Sequence, residues 1–136
     1  METTLITIHS ALRYIVLIAL VYITIKAWAR FAEKKEFQPI DRKTASMAIG
    51  LLHFQVLLGI ALYIMRRHFD GIAVMKSLKE AGNIEAAAYV RFFTMEHITM
   101  MLLAAILITI GQVLSKKAAT SSGKYLRLAL FFTLGL

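Results

Sequence analysis

Residues 91–111 read RFFTMEHITMMLLAAILITIG, an apolar run with Glu96 and His97 in its first turns. A helix that crosses the hydrocarbon core of a bilayer needs about 20 predominantly apolar residues. An ionisable side chain at the centre of such a helix costs about 2.5–3.5 kcal/mol on insertion scales, so it usually faces a protein interior and belongs to a site. His97 is therefore the first candidate functional residue of this sequence.

The composition of the chain is that of a membrane protein. Of the 136 residues, 59% are hydrophobic, whereas soluble domains have about 45–50%. There is no cysteine, which excludes disulfides, thiolate metal sites and cysteine-ligated iron–sulfur clusters. The formal net charge is +8, but the basic residues lie at the ends of apolar runs rather than in one patch with aromatic residues. We therefore predict no nucleic-acid binding.

The apolar runs predict an all-α fold, a membrane-spanning up-down four-helix bundle that forms a single domain over residues 1–136. We expect the segment around Pro39 to be a loop, MKSLKEAG to form a short helix ended by Gly82, and Asn83 to cap the third long helix. The last run offers about 18 Å of helix against a core of about 30 Å, so we expect the chain to continue past Leu136. The four helices are expected at about residues 4–30, 45–66, 84–115 and 124–136.

The distribution of lysine and arginine predicts the orientation of the bundle. The connections after the first and third helices hold ten of these residues, and the longer middle linker holds five. Positively charged loops stay in the cytoplasm. We therefore predict a multi-pass membrane protein whose N-terminus lies outside.

Three histidines fall at membrane depth: His9, His53 and His97. In an up-down bundle the first and third helices enter from the same face, so His9 and His97 share a depth, whereas His53 lies roughly 18 Å from the outer end of its helix. If the helices surround a square, the first and third are diagonal. Two imidazoles pointing inward from the diagonal could bind one iron from both sides with a porphyrin between them. Because cysteine is absent, the cofactor would be non-covalent, a b-type haem (heme b).

Other side chains complete the predicted site. Gly50, which precedes His53 by three residues, leaves a gap where a flat ligand could lie. Glu96 is expected to pair with Arg13 or to hydrogen-bond a ligand imidazole. The arginines considered as partners of the propionates are Arg13, Arg66, Arg67 and Arg91. The predicted cofactor-binding residues are His9, His53, His97, Arg13, Gly50 and Arg91, with His9 and His97 as the metal ligands.

Simpler interpretations remain open for these residues. A histidine inside a membrane bundle is often an interhelical hydrogen-bond donor, and Glu96 could simply neutralise a basic neighbour. His53 could instead contact a quinone together with Gln55 and Tyr63, or replace His9 as ligand if the first helix is tilted or shifted by about two turns. A copper site is a further possibility, because thioether and imidazole ligands suit Cu(I). The methionines concerned are Met95, Met100 and Met101. Methionine on an apolar helix, however, more often serves only to fill space in the packing.

Three segments of the sequence resemble known haem proteins. HSALRY in the first helix, HFQVLLGIALYI in the second and RFFTMEHITMMLLAAILITIG in the third resemble the small four-helix bacterial membrane proteins, familiar from Bacteroidetes, that are labelled cytochrome b. This resemblance covers nearly the whole chain. It implies b-type haem binding in the bacterial inner (cytoplasmic) membrane, with His9, His53 and His97 as candidate ligands.

A second resemblance covers fewer residues. His53 with QVLLG, and the pair Glu96 and His97, are similar to half of a haem A synthase bundle, in which such histidines ligate haem. This chain has one such half only, and Ile98 and Thr99 follow its Glu-His where the synthase has His-Arg. Haem hydroxylation is therefore not expected here.

The sequence thus predicts a b-type cytochrome that transfers electrons within or beside a respiratory complex. Bis-imidazole ligation leaves no open position on the iron, which favours electron transfer over oxygen chemistry. We expect an electron carrier or complex subunit rather than an enzyme, in contact with membrane lipid, other respiratory subunits and, as a further candidate, quinone. Two alternatives stay open: a haem-free accessory subunit whose polar residues set the helix register, and a metal or proton carrier.

Overall fold

The computed structural model describes residues 1–136 and is helical throughout, without a strand. A 3-10 turn, His68–Asp70, precedes the third helix, and a π-helical segment, Phe92–Glu96, joins the fourth helix to the fifth without a break. The helices are α1 Glu2–Ala32, α2 Pro39–Met65, α3 Gly71–Glu80, α4 Ile84–Arg91, α5 His97–Lys117 and α6 Ser121–Gly135.

Three helical stretches are long and apolar enough to cross a membrane: α1, α2 and the continuous stretch Ile84–Lys117. The chain is therefore an all-helical, multi-pass membrane protein, as the hydropathy predicts. The last helix, α6, has 15 residues. It extends over about 22 Å, which is less than the hydrocarbon core of about 30 Å.

The helices pack pairwise around an apolar core. Both α1 and α5 pack against α2 and against α6, so α1 and α5 lie diagonally across the bundle. The largest fully buried side chains are Ile108, Tyr125 and Phe132. A Cβ added to Gly135 would lie 2.5 Å from Cγ1 of Ile108 and 3.1 Å from the carbonyl oxygen of Ala104. The end of α6 therefore lies against α5 about two to three turns deeper than the first residue of that helix.

The second helix begins at Pro39 rather than near residue 45. Proline suits the first helical position because its φ angle is already helical and it needs no hydrogen-bond acceptor. Gln38 and Asp41 form a capping box, in which the backbone N–H of Gln38 donates to Oδ2 of Asp41 over 3.1 Å. The loop predicted around Pro39 is thus wrong in extent, because these residues start a helix and leave only residues 33–38 between α1 and α2.

A buried polar cluster joins three helices at the end of the bundle where α2 begins. Asp41 on α2 is buried, and its Oδ1 lies 2.6 Å from Nζ of Lys26 on α1. The hydroxyl of Tyr125 on α6 donates to Oδ2 of Asp41 over 2.6 Å. Because the one carboxylate of Asp41 binds both the ammonium group of Lys26 and the hydroxyl of Tyr125, the cluster fixes the spacing of α1, α2 and α6.

The linker between the membrane helices is ordered largely as predicted. The first six residues of MKSLKEAG form the end of α3, and its last residue, Gly82, follows the helix with a φ of +77°. The side chain of Asn83 accepts a hydrogen bond from the backbone N–H of Ala86 at the start of α4. The first residue of α3, Gly71, packs directly on Thr94 of the π-helical segment. There is no space for a side chain at Gly71, so α3 is held close to the part of the chain that precedes His97.

Candidate functional site

The structure brings His9 and His97 together across the bundle. Their ring centroids are 6.4 Å apart and their planes make an angle of 82°. His9 lies in the third turn of α1 and His97 is the first residue of α5, so the contact joins the two diagonal helices. Both residues are half-buried. These are the two histidines that the sequence places at a common depth.

The second helix holds the ring of His9 in place. Nε2 of Gln55 donates to the backbone carbonyl of His9 over 2.9 Å and lies 3.5 Å from Nε2 of its imidazole. A Cβ at Gly59 would lie 3.1 Å from Cε1 of the imidazole. Glycine at position 59 therefore lets the imidazole of His9 pack on the backbone of α2. The side chain of Gln55 lies beside Nε2 of this imidazole.

The π-helical segment sets the position of His97. Phe92 and Phe93 lie within it, and each ring centroid is 5.8 Å from that of His97. Single π turns inside α-helices occur often at functional sites. They leave carbonyl groups without their usual helical partner, and here the hydroxyl of Tyr63 donates to the carbonyl of Thr94 over 3.2 Å. No feature of the sequence pattern marks this segment.

Two buried polar atoms beside the imidazoles lack a hydrogen-bond partner. They are Nδ1 of His9 and Oε1 of Gln55. Such groups cost roughly 1–3 kcal/mol each when they are buried without a partner, and more in an apolar surrounding. Two of them in one place indicate a site where a further polar group or metal would be stabilised.

Among the arginines proposed to meet propionates, only Arg13 has no carboxylate partner. It donates a hydrogen bond to the hydroxyl of Tyr14 over 3.1 Å, and it follows His9 by one helical turn on the same face of α1. The other three arginines form ion pairs: Arg66 with Glu2 at 3.0 Å, Arg67 with Asp70 at 3.0 Å and Arg91 with Glu96 at 2.8 Å. The expectation that Glu96 pairs with Arg13 or an imidazole is wrong, because Arg91 lies closer to it along the same helical stretch.

The third membrane histidine lies apart from this pair. His53 is on the exposed side of α2, and its Nε2 lies 2.9 Å from Oγ1 of Thr109 on α5. Gly50 is exposed as well, with no atom within 4 Å of the position of a Cβ. The open surface expected beside His53 is therefore present, but it faces away from His9 and His97.

Other residues considered from the sequence have different roles. Gln55 and Tyr63 do not hydrogen-bond His53, because they contact His9 and the π-helical segment instead. The methionines considered for copper are all at least 45% exposed on the apolar surface: Met95, Met100 and Met101.

Comparison with family models, with curated proteins and with solved structures gives no match to this chain.

The separation of the imidazoles fits a shared metal ion. With a metal–nitrogen distance of about 2.0 Å on each side, two histidines that bind one ion from opposite directions have ring centroids roughly 6 Å apart. The observed separation is 6.4 Å. Two imidazoles at this separation, an arginine without a carboxylate partner and the aromatic side chains of Phe92 and Phe93 are groups that could hold a non-covalent haem, so the residues present fit this cofactor.

Proposed function

We propose that this protein is a b-type cytochrome of the bacterial cytoplasmic membrane that transfers electrons within or beside a respiratory complex. In this proposal α1, α2, α5 and α6 form an up-down four-helix bundle with the N-terminus outside, and His9 and His97 hold one haem. The single observation that carries the proposal is the 6.4 Å separation of these two imidazoles across the diagonal of the bundle. The resemblance of the sequence to small membrane proteins labelled cytochrome b also favours the binding of a b-type haem.

Each residue around the site has a defined role in this proposal. Gln55 and Gly59 orient the ring of His9 through the contacts made by α2. Phe92 and Phe93 keep water from the ring of His97. Arg13 supplies a positive charge that can pair with a propionate. His9 and His97 would hold the haem, which would supply one-electron transfer when bound.

The test is a spectrum of the protein purified from membranes. We expect a red sample with a reduced-minus-oxidised spectrum of the b type. His9→Ala and His97→Ala should each abolish it, whereas His53→Ala should leave it unchanged. His68→Ala, in the turn after α2, is the matched control. Loss of the spectrum in His53→Ala alone would overturn the ligand assignment, and a colourless protein after reconstitution with haem would overturn the proposal.

A haem-free accessory subunit is the second candidate. The observation that favours it is the edge-to-face arrangement of His9 and His97, whose ring planes make an angle of 82°. In that role the histidines fix the register of α1 against α5. The protein would then be colourless when it is fully folded within its complex, and His97→Phe would preserve assembly. Copper detected by elemental analysis would instead favour a metal carrier.

A further inference from the structure

His53 lines a groove on the lipid-facing surface that is separate from the His9–His97 site. It lies about 18–21 Å from either end of α2, near the middle of the membrane. The groove has a volume of about 370 Å³ and is bordered by α5 residues, among them Leu102, Ala105 and Ile106. The groove is shallow and opens directly to lipid, so a ligand there would keep one face in the lipid.

The hydrogen bonds of Thr109 determine which nitrogen of His53 carries the proton. The hydroxyl of Thr109 donates its only hydrogen to the carbonyl of Ala105, over 2.6 Å. It can therefore only accept from His53, whose Nε2 lies 2.9 Å away. In the neutral imidazole one nitrogen is a donor and the other an acceptor. We therefore assign the hydrogen to Nε2, which leaves an unshared lone pair on Nδ1.

This lone pair has no partner within the chain, since the bond to Thr109 is the only hydrogen bond of the imidazole. Water is absent from the bilayer core, so a polar atom there is stabilised only by a partner from the protein or the lipid phase. Polar side chains at this depth usually belong to sites for that reason. A hydrogen-bond donor that dissolves in lipid would supply this partner.

We propose that the His53 groove binds a lipid-soluble hydroquinone, whose hydroxyl group donates to Nδ1 of His53. A flat ring would lie on the apolar side chains of Leu102 and Ile106, which are 38% and 54% exposed. The surface at Gly50, one turn away, carries no side chain that would block an alkyl chain. The binding is independent of haem, because none of the residues that contact His9 or His97 lines this groove.

The arrangement also predicts which redox form of the ligand binds better. A quinone has only acceptor oxygens, so it would require the proton of His53 to move to Nδ1. Nε2 would then need a hydrogen from Thr109, whose bond to the carbonyl of Ala105 would be lost. The loss of one such neutral hydrogen bond weakens binding about fivefold. The groove should therefore prefer the hydroquinone over the quinone by about this factor.

Solid-state NMR of the full chain in phosphatidylcholine bilayers tests the proposal. With ¹⁵N-labelled histidine, the spectrum should show His53 with a protonated Nε2 and an unprotonated Nδ1. Adding a hydroquinone with a decyl chain should move the Nδ1 resonance towards the protonated position in a saturable way. The dimethyl ether of the same molecule, which has no hydroxyl donor, should leave it unchanged. The decyl quinone should bind about fivefold more weakly.

Matched variants test whether the NMR response comes from the His53 groove. His53→Phe should remove the response and His9→Phe should not, which separates this site from the proposed haem site. Thr109→Val removes the group that fixes the tautomer, so the preference for the hydroquinone should disappear while binding persists. The proposal is overturned by a response to the dimethyl ether, by an unchanged preference in Thr109→Val, or by no saturable response in the native sequence. Contacts between His53 and a second, differently labelled copy would also overturn it, because another chain would then cover the groove.

Discussion

Replacing Lys26 by methionine should destabilise the bundle by leaving a buried carboxylate without its cation. Asp41 is 7% exposed and lies 2.6 Å from the ammonium group of Lys26. Breaking a buried ion pair by removing one partner costs about 3–5 kcal/mol. The side chain of Lys26 is 24% exposed, and Asp41 keeps its bonds to Tyr125 and Gln38. We therefore expect a smaller loss, about 2–3 kcal/mol of the free energy of unfolding.

Replacing Asp41 instead of Lys26 should lower the free energy of unfolding by a smaller amount. Asparagine at position 41 keeps an acceptor for the hydroxyl of Tyr125, and the ammonium group of Lys26 can extend towards water when its partner is neutral. We expect Asp41→Asn to cost about 1–2 kcal/mol. The double variant should cost about 2 kcal/mol rather than the sum of both changes, because it leaves no charge uncompensated.

The single tryptophan provides the assay. Nε1 of Trp28 on α1 donates to Oγ1 of Thr133 on α6 over 3.0 Å, so its fluorescence reports the separation of these two helices. Reversible unfolding in mixed micelles with increasing sodium dodecyl sulfate would give the free energy of unfolding for each variant. Tyr125→Phe is a useful control, since it removes one bond to Asp41 without changing a charge. Strictly additive costs of Lys26→Met and Asp41→Asn would refute the reasoning and would mean that water already screens the pair.

Three further predictions concern the other end of the bundle. Gly71→Ala places a methyl group on the side chain of Thr94 and should cost about 1–3 kcal/mol in the same unfolding assay, with partial recovery in combination with Thr94→Ala. If haem is bound, Arg13→Gln should lower its midpoint potential by tens of millivolts in a redox titration, because a nearby cation favours the reduced iron, whereas Arg66→Gln should not. Burial and the charge of Arg66 lower the pKa of His68 from its ordinary value of 6.5. Protonation therefore favours the unfolded chain, so the native protein should lose stability relative to His68→Gln as the pH falls below about 6.5.

The fold class and the meeting of two histidines could be predicted from the sequence because both depend on simple regularities. Long apolar runs in a chain of this composition have to be membrane helices, since only helices satisfy the backbone within a single segment. Successive membrane helices alternate in direction, which gives His9 and His97 the same depth. Both statements need only the positions of apolar and polar residues along the chain.

The details that set individual contacts could not be predicted in this way. The sequence predicts a loop at Pro39, although proline also suits the first turn of a helix, and in the structure Gln38 and Asp41 form a capping box that starts a helix there. The partner of Glu96 depends on which residues share a helix face, and this face is changed by the irregular segment before α5. Hydropathy gives the depth of His53 but not the direction in which it points.

The π-helical segment explains why His97 faces the bundle interior. An extra residue in one turn rotates everything after it by about 100° relative to a regular helix. Before the segment, Ala87 is buried, and Thr94 within the segment packs on Gly71. After it, the buried positions include Ile108 and Ser115, which lie on the same face as His97 at helical spacing. In a regular helix the buried face that contains Ala87 would continue along α5. His97 would then be rotated by about 100° from the direction that brings it to α1. The irregular turn thus allows one helical stretch to pack on α3 at one end and to bring an imidazole to His9 at the other.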